Sequence, residues 1–364
     1  MSAVEHLYVH VPFCPRVCPY CAFYVMPADR RRSGPLVDAL LEELRYRLRA
    51  VELRPRTIYV GGGTPSALGT ADLERLIGGL VGLVGGAAEF TIEVNPTTLS
   101  PEKAGMLRAF GVNRASLGAQ SFDPAALATL GRQHGPEKIL RTFDILRAAG
   151  FANIGLDLIY GVPGQAEPRW WETLQSAVSL GPEHISAYCL TYEEDTPFFD
   201  RLAAGEWVRD EAREAGLFLG TRRALEESGY AAYEVSNFSR PGFESEHNLA
   251  YWRGRDYLGV GPSAVSTVGG RRWRAVADLG RYLAAAREGD WPEEEVERVD
   301  EDLRRRERMM FGLRTREGVG GHGFEDELGE LRSAGYAEES CGRWRLTEEG
   351  LLRADAVAAL FARA

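Results

Sequence analysis

The sequence predicts an α/β protein: a partial (β/α)6 TIM-like barrel followed by a small C-terminal winged-helix-like module. Three observations carry that expectation. Strand-like runs alternate with segments of helical periodicity up to about residue 195, which specifies parallel strands joined by helical crossovers. The strand runs are near-continuously apolar, as in a sheet covered on both faces. Composition then changes after about residue 290, where charge becomes dense.

The strand runs are LYVHVPF (7–13), TIYVGGG (57–63), FTIEVNP (90–96), RASLGAQS (114–121), NIGLDLIYG (153–161) and HISAYCLTY (184–192). Across 33–51, Leu36, Leu40, Leu44, Leu48 and Val51 recur on one helical face, and Ser33 is placed to cap it. Ser100-Pro101 offers a cap and a first-turn proline to another helix. RAFGVNR, RAAGFAN, VSLGPEH and EESGYAA put glycine where a left-handed C-cap leads into the next strand. Six such units fit before residue 195, and a closed eight-unit barrel needs more chain. An open doubly wound sheet is the alternative arrangement. The barrel core is placed at 1–240, a connecting segment at 241–290 and the C-terminal module at 291–364. The run WPEEEVERVDEDLRRRER (291–308) reads as a solvated linker or exposed helix face. Beyond it, short helices, a hairpin and a final helix are expected. Winged helices often bind DNA, but "YAEES" offers no basic wing, so packing or protein contact is the expected role.

The 364 residues carry a formal net charge of −10, which argues against a nucleic-acid partner. No apolar run approaches the ~20 residues of a membrane span. The start MSAVEHLYVHVPF has no basic n-region and reads directly into a strand, so a cytoplasmic protein is expected. Five cysteines, three of them clustered, are not a disulfide framework; they suggest metal ligands in a reducing compartment. Cys189 and Cys341 lie apart, and each reads as a small buried hydrophobe or a bystander thiol.

Cys14, Cys18 and Cys21 are spaced C-x3-C-x2-C. A cubane iron–sulfur cluster takes one thiolate per iron, so three cysteines leave one iron with an open position for a chelating small molecule. Zinc, with His6 or His10 as fourth ligand, is the alternative. Unusual residues gather where either α/β architecture does its chemistry, at the carboxyl ends of the strands. They are the cysteine loop, GGGTP, EVNP, AQSF and DLIYGVPG.

The cysteine spacing after a first strand resembles the radical S-adenosylmethionine (SAM) superfamily. "YVHVPFC", "IYVGGGTPS", "EVNP", "GVNRASLGAQSF", "LGRQHGP", "GLDLIYGVPGQ" and "HNLAYW" are similar to its oxygen-independent coproporphyrinogen III oxidase-like branch, and within it to the heme chaperones. The likeness runs from Tyr8 to about Gly261. It implies a [4Fe–4S] cluster on Cys14, Cys18 and Cys21, with SAM bound at the open iron. It also implies SAM contacts from Tyr8, Tyr20, the loop Gly61, Gly62, Gly63 and Thr64, and from Glu93, Gln120, Arg132 and Asp157. His10 and His134 are expected to be structural or to line that pocket. His247 would offer nitrogen to heme iron, and Tyr251 and Trp252 a stacking surface. The cargo would be heme, and the partner a hemoprotein acceptor, membrane-associated hemoproteins included. The alternatives are a coproporphyrinogen III oxidase of porphyrin biosynthesis or another radical SAM enzyme. Oxidases of this branch carry C-x3-C-x2-C-x-C, whereas Phe23 stands at the extra cysteine here. The chain also begins only a few residues before the first strand, without the oxidase's N-terminal extension. Both departures favour a chaperone that is not an active coproporphyrinogen dehydrogenase. Ala22 stands where most chaperone-like sequences have Asp, and nothing in the sequence explains it.

Overall fold

A computed structural model describes residues 3–362. Six parallel strands lie side by side in chain order: β1 (Val4–Val11), β2 (Leu53–Gly62), β3 (Glu89–Val94), β4 (Arg114–Gln120), β5 (Asn153–Tyr160) and β6 (His184–Cys189). The intervening chain contains α1 (Arg30–Arg47), α2 (Thr70–Val84), α3 (Pro101–Ala109), α4 (Pro124–Thr129), α5 (Pro136–Ala148) and α6 (Glu167–Ser179). Ser100 caps α3 as expected, accepting from the Lys103 N–H at 3.2 Å. The four junction glycines, Gly111, Gly150, Gly181 and Gly229, all hold positive φ. α1 starts earlier than its apolar periodicity implies. Asp29, not Ser33, caps it by accepting from Arg31 N–H at 2.9 Å, while the Ser33 hydroxyl donates to the Asp29 carbonyl. A carboxylate ahead of the basic run takes the cap because it also pairs with Arg31.

The expectation of a sheet apolar on both faces needs correcting. Side chains alternate across a strand, and here one face alone is apolar. Leu7, Val9 and Val11 of β1, and Ile58 and Val60 of β2, are fully buried in the main core. The intervening positions hold Tyr8 and His10, Thr57 and Tyr59, Glu93, Ser116 and Asp157. Tyrosine and histidine inside a run such as YVHV make a half-polar strand look continuously hydrophobic. The polar face is the side available to a cofactor.

After β6 come α7 (Pro197–Ala203), α8 (Glu211–Glu227), β7 (Ala231–Ala232) and β8 (Asn237–Ser239). The segment read as a connector, 241–290, holds α9 (Glu246–Trp252), β9 (Leu258–Val260), β10 (Val265–Val268), β11 (Arg271–Ala275) and α10 (Leu279–Glu288). β9 pairs in parallel with β1, so the nine-stranded sheet runs β9-β1-β2-β3-β4-β5-β6-β8-β7 and stays open between its edges. A strand of three residues followed by glycine gives too little periodicity to be read from sequence.

The charge run does not remain a linker or helix face throughout. Its first part is β12 (Glu293–Arg298), which pairs with β11 to complete a three-stranded sheet with β10. Opposite charges account for it: Glu294 meets Arg281 at 2.9 Å and Glu297 meets Arg272 at 3.0 Å, pairs of the kind that stabilise neighbouring strands. The C-terminal module follows as α11 (Glu301–Gly312), α12 (Glu325–Ser333), the hairpin β13 (Ala337–Ser340) and β14 (Arg343–Leu346), α13 (Glu348–Leu351) and α14 (Ala354–Ala362). Met309, Leu313, Phe324, Leu328, Leu331 and Phe361 give it a core of its own. Helices around one hairpin match the winged-helix-like expectation. Among the described residues, no helix is long and apolar enough to cross a membrane.

Candidate cofactor site

The cysteine loop leaves the carboxyl end of β1 and runs on to the start of α1. A two-residue ladder, Phe13–Cys14 against Met26–Pro27, ties its two ends together. Cys14, Cys18 and Cys21 are all free and half-buried. The first two thiols each have a donor aimed at them: Thr64 Oγ1 lies 3.6 Å from Cys14 Sγ, and Arg132 Nη1 lies 3.4 Å from Cys18 Sγ. Burial pushes the Cys14 thiol up to about 11 and raises that of Cys21, so iron would have to displace the protons, as metals do from coordinating thiols. Hydrogen-bond donors on sulfur suit cluster thiolates, whose potential they tune.

The zinc alternative fits less well. His10 uses both ring nitrogens, Nδ1 with the Tyr8 hydroxyl at 3.0 Å and Nε2 with the Tyr24 carbonyl at 2.9 Å. His6 Nδ1 bonds Thr57 Oγ1 at 2.9 Å. Among the described residues no three His, Cys, Asp or Glu side chains are gathered for a single ion. A cubane spreads its ligands over several irons and needs no such convergence.

The GGGTP loop packs directly beside the cysteines. Gly63 N–H donates to the Val11 carbonyl and Thr64 N–H to the Phe13 carbonyl, at 2.8 and 2.7 Å. Gly62 sits at φ +102, and a Cβ there would fall 2.5 Å from the His10 ring. Only glycine permits both that backbone and that approach. Gly62 N–H also donates to Glu93 Oε2 at 3.1 Å, and the Tyr59 hydroxyl to Glu93 Oε1 at 2.9 Å. Burial, with Asp157 adding repulsion, raises the Glu93 carboxyl to about 7 in spite of those two donors. Asp157 accepts from Ser116 Oγ at 3.1 Å and is also raised by burial. Gln120 ends β4 at φ +66, a conformation uncommon outside glycine; β4 slips register against β5 just before it. Arg132 anchors its other nitrogen on the Gly118 carbonyl at 3.0 Å. Tyr20 leans on Phe198, ring centroids 6.0 Å apart, and Tyr8 lies 6.2 Å from Tyr59. His134 contacts the Ala119 carbonyl at 3.3 Å, and burial lowers it to about 4.

The expected SAM residues thus gather over the carboxyl ends of β1 to β5. Tyr59 and Ser116 join them, bonding Glu93 and Asp157, and no motif singles them out. Their signal was present: in TIYVGGG, Thr57, Tyr59 and Gly61 alternate with buried aliphatics, the mark of one distinct face.

HNLAYW forms most of α9 (Glu246–Trp252). His247 is buried at the opposite end of the polar face, and both of its nitrogens are used. Nδ1 bonds Thr57 Oγ1 at 2.7 Å and Nε2 the Tyr251 hydroxyl at 3.0 Å, while the ring stacks on Tyr59 with centroids 5.1 Å apart. Burial, helped by the charges of His6 and Arg114, lowers its pKa to about 3. Glu89 holds the helix start by accepting from the Glu246 and His247 N–H groups at 2.9 and 3.0 Å. Trp252 points the other way, edge-on to Phe311 of the C-terminal module. The motif thus packs against the polar face of the sheet, with Tyr251 also lining the cavity beside the cysteine loop.

Residues 8–177 match the family model described as the Radical SAM superfamily. The heme chaperone HemW of Lactococcus lactis is 36% identical over 88% of this chain and 84% of its own length. HemW of Mycobacterium tuberculosis is 35% identical over 96% and 93%, and that of Escherichia coli 32% over 98% and 97%. Coproporphyrinogen III oxidase (HemN) from Escherichia coli superposes with a TM-score of 0.82, at 24% identity, over 99% of this chain and 91% of that one; that likeness speaks for the fold.

Proposed function

This chain belongs to the HemW family of the radical SAM superfamily, and from that premise we propose that it is a cytoplasmic heme chaperone that binds heme and delivers it to hemoproteins, including membrane-associated ones. Cys14, Cys18 and Cys21 hold a [4Fe–4S] cluster. SAM lies over Gly62, Gly63, Thr64, Glu93, Gln120, Arg132 and Asp157, with Tyr8 and Tyr20 at its sides. When bound, the cluster supplies an open iron position that the amino and carboxylate groups of SAM can chelate, and an electron for it. The protein's own contribution is placement. Ionised Glu93 suits an ammonium or ribose hydroxyl, and the exposed backbone of Gly62 and Gly63 allows close approach.

The observation that carries this reading is the meeting of three half-buried thiols with the polar ends of β2 to β5. The chaperone role over the oxidase rests on Phe23, 73% exposed where an oxidase has its additional cysteine. Anaerobic reconstitution, followed by parallel assays of heme binding, heme transfer to an apo-hemoprotein and coproporphyrinogen decarboxylation, tests it. Saturable heme uptake with transfer is the expected result. Many turnovers of porphyrinogen with no specific heme uptake would reverse the assignment to oxidase.

A further inference from the structure

The two loops that carry the GGGTP and EVNP residues are tied together by one ammonium group. GGGTP runs into the 3-10 turn Pro65–Ala67, and EVNP into the cap of α3. Lys103 reaches both. Its Nζ donates to the Ser66 and Leu68 carbonyls at 2.7 Å each and to the Thr98 carbonyl at 3.1 Å. Ser66 and Leu68 belong to the first loop, Thr98 to the second. Side chains complete the joint: the Asn95 N–H donates to Ser66 Oγ at 3.2 Å, and Ser66 Oγ meets Thr98 Oγ1 at 2.6 Å. Ser66 is fully buried there.

Local structure does not favour a cation at this place. Lys103 stands in the first turn of α3, where the Ser100 side chain accepts from its N–H, and the helix dipole there disfavours positive charge. Half-burial also lowers its pKa. Lysine is scarce besides: of 43 basic side chains, Lys103 and Lys138 are the two that are not arginine. The geometry explains the exception at 103. An ammonium aims three donors tetrahedrally from one atom, which three converging carbonyls require, whereas a guanidinium is a planar fork. The path from this joint to the site is short on both sides. The Ala67 N–H holds the Thr64 carbonyl at 2.9 Å, and Thr64 Oγ1 faces Cys14 Sγ. The Thr98 N–H and hydroxyl both hold the Asn95 carbonyl at 3.1 Å, two residues on from Glu93.

We propose that Lys103 is a positioning residue for SAM: it fixes the separation of the GGGTP and EVNP loops, and so of Gly62 and Gly63 from Glu93, without touching the ligand. The proposal rests on the SAM reading above. It makes the three-carbonyl geometry of the ammonium, and not its charge alone, the property that SAM affinity depends on.

The test is titration of the anaerobically reconstituted full chain with SAM, read by the EPR spectrum of the reduced cluster, with iron content and urea unfolding measured alongside. Lys103→Met should weaken SAM binding roughly tenfold at parent iron content, the scale on which groups act through a packed network. Lys103→Arg keeps the charge and loses the geometry, so it should be weakened nearly as much. Ser100→Ala removes the cap of the same helix and leaves the three carbonyls held. It should unfold at lower urea than the parent and bind SAM as the parent does. Parent-like SAM affinity in Lys103→Met overturns the proposal, and so does parent-like affinity in Lys103→Arg, which would make charge sufficient. Equal weakening in Ser100→Ala also overturns it, and would reduce Lys103 to general support of α3. Iron lost from Lys103→Met, with unchanged SAM affinity in the clusters that remain, would place the residue with the thiols instead. A parent chain whose reduced cluster does not respond to SAM would remove the SAM reading itself, and the proposal with it.

Discussion

The two ends of one polar sheet face behave oppositely. At the carboxyl end, the three thiols, Glu93, Asp157, Gly62 and Gly63 are only half-buried. The Glu93 carboxyl titrates near neutrality there. At the other end, His247, Thr57, Tyr251 and Glu89 bond one another in a closed set. Both ends carry a sequence motif of similar length and polarity. Groups at both ends have partners within the chain, and what separates the ends is exposure: a fully buried polar group with its partners made stabilises the fold, and a half-buried one keeps a side open to a ligand. A motif therefore marks a place where side chains are constrained, and the constraint can be the fold's own.

Removing the thiols should give the largest effect and touch function only. The parent should take up about four irons on anaerobic reconstitution, by the one-thiolate-per-iron logic with one iron left to SAM. Any of Cys14→Ala, Cys18→Ala or Cys21→Ala should lose most of that iron and its visible absorbance, with the apo-protein's thermal unfolding nearly unchanged. Full iron and sulfide in the triple variant would refute the ligand assignment.

His247→Ala should do the reverse. It empties a buried ring site and orphans Thr57 and Tyr251, a loss of about 2–4 kcal/mol by the usual cavity and hydrogen-bond costs. Urea unfolding of the apo-protein should show it, while the folded fraction keeps its cluster. Unchanged stability with abolished heme binding would mean that the motif end is open after all.

Glu93 sharpens the contrast through pH. Its carboxyl is raised to about 7 from its ordinary value of 4.5, so the folded chain holds a proton there across that window. Ionisation as pH rises from about 4.5 through 7 therefore costs stability, and Glu93→Gln should be the more stable protein at pH 8. SAM binding should run the other way, tightening through pH 7 as the carboxylate forms. Glu93→Gln should bind SAM roughly tenfold more weakly at pH 8, the scale of one charge-assisted hydrogen bond, with a flat pH profile. The SAM-induced change in the reduced cluster's EPR spectrum is the readout.

The smallest effect belongs to Tyr59, which touches both ends: its hydroxyl donates to Glu93 and its ring stacks on His247. Tyr59→Phe keeps the stack and loses the donor. It should cost about 1 kcal/mol or less of stability and move the midpoint of the SAM pH profile upward, because the ionised carboxylate loses a partner. A midpoint that falls would contradict the hydrogen bond.

The sequence by itself determined the strand–helix alternation, the six parallel strands in chain order, the cap at Ser100 and the cysteine loop after the first strand. These are local: they depend on periodicity, glycine and proline placement, and spacing along a few residues. It also determined which residues stand at the strand ends, since in a parallel sheet all such ends lie on one side. Only the tertiary structure decided the rest. β9 joins the sheet beside β1 although more than two hundred residues separate them. The acidic run at 293–298 becomes a strand because arginines of β11 and α10 face it. His247 is held by Thr57, Tyr59 and Tyr251, two of them far from it in sequence. Whether a polar group is spent or available depends on partners distant in sequence, and no local pattern encodes those partners.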